Sequence, residues 1–528
     1  MQLKSNIFFC LLLMSMSGWS QLYLPLTSYY QHESQRLILS DSIEHTYFNS
    51  HQSLLPILDK RTSNEGIYAS QGKHYYWLTQ KLFKENFIVF SGEDYWCSID
   101  PIVDLELGGD LSADSLQRLY WNTRGIRIQA KFFEKVGFTT SVYENQAILP
   151  QYQNDFADAH GEYFPNSINT QYIQNNAVIA GYARTKPFKT TGYDFAFAQG
   201  QVAYVPNKWV NFTIGNGNQF IGNGYRSLLL SDFSVNYPFG KIEANLWNGR
   251  IQYNAIYAIH QNLYRLPEHT TPEATYEKKI GTYHYLDIAL TENIQIGFFE
   301  GNHWQYVDSL GSHQPDYLFI NPIIFGNTIA KGTETTGFKS VLGLNASIAF
   351  GTNQLYGQVV IDRSEIGGYQ LGFKTYNILV PKLDFQVEYN RVFENTYQAN
   401  EQRYNYSHYN LSLAHPYVND FHELTTAITY QHNRFFIQNR LNYSQRFTTD
   451  SIYVGNAILV PSAIETNKRS THILYNQFEV GYRFNKTYNL QAFIGHLYRN
   501  ETAPTLNPLT NYMYLGVRTR LKNKYLDF

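Results

Sequence analysis

Three stretches of the chain carry residue types that do chemistry in other proteins. Gly222–Asp232, GNGYRSLLLSD, follows Gly215-Asn-Gly217 and combines glycines with an arginine and a serine, the ingredients of a phosphate cradle or a nucleophile elbow. A phosphate loop ends in Gly-Lys-Ser/Thr ahead of a helix, and an elbow sets its serine between glycines. Here Ser227 stands between Arg226 and Leu228, so neither chemistry fits. The segment is expected to be an ordered loop. Its Arg226 and Asp232 pair with each other or with polar neighbours, and both are candidate ligand contacts.

His415, His422 and Glu423, in HPYVNDFHE, are types that bind metals or move protons, but their spacing fits no metal-binding helix. No metal site and no cofactor are expected, and no serine–histidine–aspartate order can be singled out. Glu394–Asp420 interleaves Tyr397, Tyr404, Tyr406, Tyr409 and Tyr417 with Asn395, Asn400, Gln402, Asn405, Asn410 and Asn419. Aromatic faces stack on the C–H surfaces of sugars and amides bond their hydroxyls. Tyr404, Tyr406, Tyr409 and His415 are therefore candidate saccharide contacts. The alternative is that the tyrosines only anchor the protein at the lipid headgroups.

The elements that must position these residues follow from composition and period. Of 528 residues, 16% are aromatic, with 45 Tyr and 35 Phe, yet only 16% are charged. A transmembrane barrel needs that mixture, with an apolar, aromatic outside and a polar lumen. Residues 1–20 read as a secretory signal peptide, with Lys4 ahead of an apolar run and small residues near a cut at Ser20/Gln21. Cys97 is then the single mature cysteine, which excludes an intramolecular disulfide. A formal net charge of −2 gives no reason to expect a nucleic-acid partner. No window after the signal approaches 18 apolar residues, so the exported chain crosses a membrane only as a closed barrel; a secreted β-sandwich or propeller is the soluble alternative.

Residues 21–97 are expected to form a small periplasmic segment with helix, since Trp77, Leu78, Lys81 and Leu82 recur at helical spacing. Residues 98–528 are expected to form the barrel. From Pro101 the period becomes two: Ile126, Ile128, Ala130 and Phe132 alternate with Arg127, Gln129 and Lys131, and Ile242, Ala244 and Leu246 with Lys241, Glu243 and Asn245. Tight turns, such as Asn207-Lys208 and Asn433-Arg434, alternate with long polar loops, the largest near 149–192, 306–337, 397–421 and 448–470. The count is an all-β, antiparallel outer-membrane barrel of about 18 strands. Its tight turns and both ends lie in the periplasm, and its long loops lie outside. The fifth strand is expected over 209–221, so the 222–236 connection falls on the outer side, and Tyr409–Pro416 falls in an external loop able to fold inward. Lumen charges of both signs predict an internally paired or plugged lumen. The last strand, with aromatic Phe528 closing the chain, resembles the signal read by the barrel-assembly machinery.

The runs NTRGIRIQAKFFEKVGFTTSVYENQ (122–146), YDFAFAQGQVAYVPNKWVNFTIGNGNQFIGNGYRSLLLSD (193–232) and LSLAHPYVNDFHE (411–423) resemble the Wzi-like outer-membrane capsule assembly proteins, most of all the RemB-type gliding motility proteins. The resemblance spans most of 101–430, and GYRSLLLSD is its most specific part. It implies an 18-stranded barrel with an occluded lumen, no catalytic residues, and a surface polysaccharide as partner. It also implies a role in capsule anchoring or in gliding and adhesion. A transport porin and an accessory subunit with motility or secretion partners are the competing functions.

Overall fold

The computed structural model describes residues 22–39, 53–56, 58–59, 76–112, 117–133, 135–165, 172–266, 276–308, 310–314, 316–449, 468–503, 507–519 and 521–528. The expected signal peptide lies outside them. Eighteen strands form the wall. β1–β6 are Tyr95–Asp110, Gln117–Phe132, Val136–Ile148, Gly192–Tyr204, Val210–Gly217 and Tyr237–Leu246. β7–β12 are Ile251–Arg265, Tyr276–Ala289, Ile294–Asp308, Phe338–Phe350, Asn353–Asp362 and Glu365–Thr375. β13–β18 are Leu383–Val392, Phe421–His432, Phe435–Thr449, Lys468–Asn485, Leu490–Thr502 and Leu509–Thr519.

Each strand pairs antiparallel with the next, and β18 closes on β1 with Tyr512 opposite Asp110 and Arg518 opposite Asp104. Closure leaves no strand edge to meet lipid. The burial pattern is inverted relative to a water-soluble protein. Leu107, Ile214, Leu371 and Leu515 are exposed, whereas Arg127, Glu243, Gln370, Glu388 and Glu479 are buried. Apolar groups face outward and charges face inward, as in a barrel of the Gram-negative outer membrane. The two-residue period therefore assigned the faces correctly, and the lumen charges do pair, as Arg518 does with Glu479 at 2.5 Å.

Two sequence expectations need correction. The first concerns residues 21–97. Helix α1, Ser28–Leu39, is not a periplasmic appendage: His32 and Arg36 reach the lumen-facing Asp384 at 2.7 and 3.1 Å, and Gln35 accepts from Lys374 at 2.8 Å. Tyr23 likewise bonds Asn211 and Thr213, and Leu54–Leu55 pairs with Phe220–Ile221. Helix α2, Trp77–Phe83, does sit at the tight-turn end, where Asn485 and Tyr488 bond the Lys81 carbonyl. β1 moreover starts at Tyr95, with Ile88–Ser91 hairpinned against it, so the wall begins ahead of the predicted Pro101.

The second correction concerns the chain after β18. Residues 521–528 do not extend the strand but run back up inside the barrel. Lys524 lies over Trp121 and pairs with Asp104 at 2.5 Å, and the Phe528 ring packs at a tilt against Phe156, 3.8 Å away. Phe156 belongs to helix α3, Gln151–Ala159, in the first long outer loop. Phe528 is thus a lumen-core residue, a role that an aromatic closing a sequence does not reveal.

Leu515 lies near the middle of β18 on the lipid face. Leu515→Arg is expected to lower the folding free energy in phospholipid vesicles by about 2–4 kcal/mol, measured by urea titration.

Candidate functional site

Residues 218–236 leave β5 on the outer side and turn into the lumen, where Leu228, Leu229 and Leu230 are fully buried. The turn is set by side chains from the wall and from the segment itself. The Ser227 hydroxyl donates to the Ile221 carbonyl and accepts from the N–H groups of Leu229 and Leu230 at 3.1 and 3.2 Å, a serine turn rather than a nucleophile. Gln358 donates to the Ile221 carbonyl and accepts from Leu228 N–H. Gly224 permits the closest approach, since a side-chain carbon there would stand 2.3 Å from Glu388 Oε2. Glu388 consequently receives the N–H groups of Tyr225 and Arg226 at 2.7 and 3.0 Å.

The Arg226 guanidinium occupies the centre of this arrangement. Its Nη2 and Nε donate to both oxygens of Glu423 at 2.9 and 3.3 Å, and Nη2 also reaches the Asp527 carbonyl at 3.0 Å and its carboxylate at 3.2 Å. Burial alone would lower the pKa of Arg226, but Asp527 and Glu423 outweigh it and hold it well above the ordinary value. His415 donates from Nε2 to Glu423 at 2.7 Å while its Nδ1 accepts the Tyr417 N–H. That fixes the neutral tautomer, in keeping with a pKa drawn down by burial more than Glu423 raises it. Asp232 does not meet Arg226. It accepts from Tyr525 and from Asn523, and burial raises its pKa.

The tyrosine loop lies on top of this segment. Tyr397 and Tyr406 donate to the carbonyls of Leu228 and Leu229 at 2.6 and 2.8 Å, and Ser231 N–H donates to the Leu413 carbonyl. Tyr404, Tyr406 and His415 are buried and Tyr409 is half-buried, so these candidates form no sugar platform open to solvent. The loop instead divides by residue type. Its tyrosines turn down into the plug, while Asn395 and Asn400 are exposed and Gln402 and Arg403 half-exposed at the outer crown. Arg363, also exposed, bridges Glu334 and the Gln398 carbonyl there. His422 faces away from His415 and Glu423, bonding Tyr389 on the outer wall. Among the described residues no group of three or more His, Cys, Asp or Glu is placed to hold a metal.

Sequence reasoning missed the partners of Arg226. Glu423 and Glu388 carried a signal, because strand parity points both into the lumen. Asp527 carried none.

No protein-family model matches the chain, and no curated protein matches it. Its fold has a solved counterpart. Wzi from Escherichia coli, described as an outer membrane protein involved in group 1 capsule assembly and a carbohydrate-binding β-barrel, superposes with a TM-score of 0.53 at 11% identity. The match covers 94% of this chain and 99% of that one. A BenF-like porin from Pseudomonas fluorescens Pf-5 (TM-score 0.41, 9% identity, 80% of this chain and 98% of that one) is more distant. So is Pseudomonas aeruginosa OccK2 in complex with glucuronate (TM-score 0.42, 9% identity, 80% and 97%).

Arg226→Ala leaves two buried carboxylates without their cation and is expected to destabilise the barrel by about 3–5 kcal/mol, with Arg226→Lys intermediate. The midpoint of the heat-induced mobility shift on gels measures it. Removing residues 521–528 withdraws Asp527 and Tyr525 together, and current steps absent from the intact protein are expected in planar bilayers.

Proposed function

We propose that the chain is a non-enzymatic outer-membrane barrel that holds surface exopolysaccharide at its outer crown, in capsule anchoring and in support of gliding. The observation that carries this reading is the filling of the lumen. α1, Leu54–Leu55, 218–236, the tyrosine loop and 521–528 meet one another across the barrel axis, where a porin needs a water-filled path. A barrel so filled acts through its outer surface. The likeness in fold to a carbohydrate-binding barrel supports the ligand class.

The crown supplies suitable groups. Asn395, Asn400, Gln402 and Arg403 offer amide and guanidinium donors to hydroxyls and carboxylates, above a base held rigid by buried tyrosines. Arg226, Asp232, Tyr404, Tyr406, Tyr409 and His415 then serve binding by holding that base. Kinship with the RemB-type proteins, and partners in a motility or secretion assembly, belong to this proposal through the sequence resemblance alone.

A deletion strain is expected to shed its capsule and to spread less on agar, with cell-surface polysaccharide and colony spreading as the two measurements. Asn395→Gly, which suits the left-handed backbone there, combined with Asn400→Ala and Gln402→Ala is expected to reduce retention of the protein on its own cells' polysaccharide several-fold without moving the heat-shift midpoint. Intact capsule, unchanged spreading and undiminished retention would defeat the proposal, as would steady conductance by the intact protein.

A further inference from the structure

The loop after β9 does not stand above the barrel. Strand parity is fixed by Phe299 and His303, which face the lumen beside Tyr283. Glu300, Asn302 and Trp304 therefore face outward. Opposite Glu300 lie His284 on β8 and Leu342 on β10, and the same ladders lead outward to Ile242 and Ile366, both exposed. Glu300 is six residues above the start of β9. At about 3.3 Å per residue and a tilt of roughly 40°, it lies about 15 Å above the tight turn, inside an apolar band about 25 Å tall.

A carboxylate at that depth on the lipid face is costly, and residues 316–332 cover it completely. Glu300 accepts from Phe325 N–H at 2.7 Å and from Thr328 N–H and Oγ1 at 2.9 and 2.6 Å. Thr328 also bonds Ser340 on β10, Phe319 packs edge-on against Tyr257, and the Pro322 carbonyl accepts from Tyr253, only two residues above the tight-turn end of β7. Thr282, His284, Asn302 and Ser340 are sealed beneath the segment. Between Asp316 and Lys331, which pair with each other at 2.5 Å, it has no charged residue. Its outward groups, including Tyr317, Ile320, Ile323 and Ile329, are 60–83% exposed and continue the apolar surface of Ile259 and Leu344 on the flanking wall.

We propose that residues 316–332 are a lobe immersed in the hydrocarbon of the bilayer, with lipid acyl chains against its outer face and Glu300 as the latch that holds it to the wall. The segment reads as an external loop by position, but its uncharged, isoleucine-rich run suits lipid, as does its continuity with the apolar band. The latch gives the wall a polar seam that lipid never touches while the lobe is seated.

The test uses the full chain with Cys10→Ser and Cys97→Ser, carrying a spin label at Ile320→Cys or Ile329→Cys, in phosphatidylcholine–phosphatidylglycerol vesicles. Relaxation by oxygen, which concentrates in hydrocarbon, is compared with relaxation by a water-soluble nickel chelate. Leu371→Cys on the bare wall and Ser364→Cys in an outer turn are the references. Both lobe labels are expected to match Leu371→Cys, with oxygen several-fold more effective than nickel. A match to Ser364→Cys overturns immersion, and protection from both reagents overturns the lipid occupant in favour of a protein. Glu300→Ala is expected to raise nickel access at the Ile329→Cys label several-fold, with Glu300→Gln between, in protein whose heat-shifted mobility confirms a closed barrel. Unchanged access in Glu300→Ala overturns the latch.

Discussion

A guanidinium buried in the middle of a barrel must find its counter-charges there, and Arg226 finds them on pieces of chain that are far apart in sequence. Glu423 comes from β14 and Asp527 from the segment beyond β18. His415, from the loop before β14, completes the shell of Glu423. Leaving any of these charges alone in the lumen interior would cost several kcal/mol, so the inward loop, the tyrosine loop and the tail are held in a single arrangement. The leucines beside Arg226 then have a defined place to pack, and the Leu228 and Leu229 carbonyls have Tyr397 and Tyr406 as donors.

The wall was legible in the sequence. Alternation at 124–133, 241–247 and 383–390 named the lumen faces, and the parity of tight turns and long loops yielded eighteen strands. A period of two reports the side on which a strand residue stands, and the lumen needs little else. The plug was not legible, for a physical reason. The lumen wall carries many amides, hydroxyls and charges, so the polar residues of a segment buried in it look like those of a loop in water, and Leu228, Leu229 and Leu230 look like any apolar run between strands. Ser227 and Asn395 are both small polar residues of loops, yet they lie at opposite ends of the solvent scale. For the same reason the strand expected over 209–221 ends early, and the chain leaves the wall at Gly217.

The GYRSLLLSD segment and the 316–332 lobe show the same rule with opposite outcomes. Both are apolar runs between barrel strands. The first carries Arg226, which can only be neutralised inside, and it goes in. The second has no charge between its paired ends, and it lies against the lipid-facing wall. In each case one polar group, Arg226 on the loop or Glu300 on the wall, fixes where the apolar residues go.

The β1–β18 seam encloses material that belongs to both sides of it. α1 precedes the first strand and residues 521–528 follow the last, yet both lie inside the ring that these two strands shut. The seam is therefore held by its contents as well as by its backbone pairs, since Lys524, beyond β18, is bound to Asp104 on β1 and spans the junction from within.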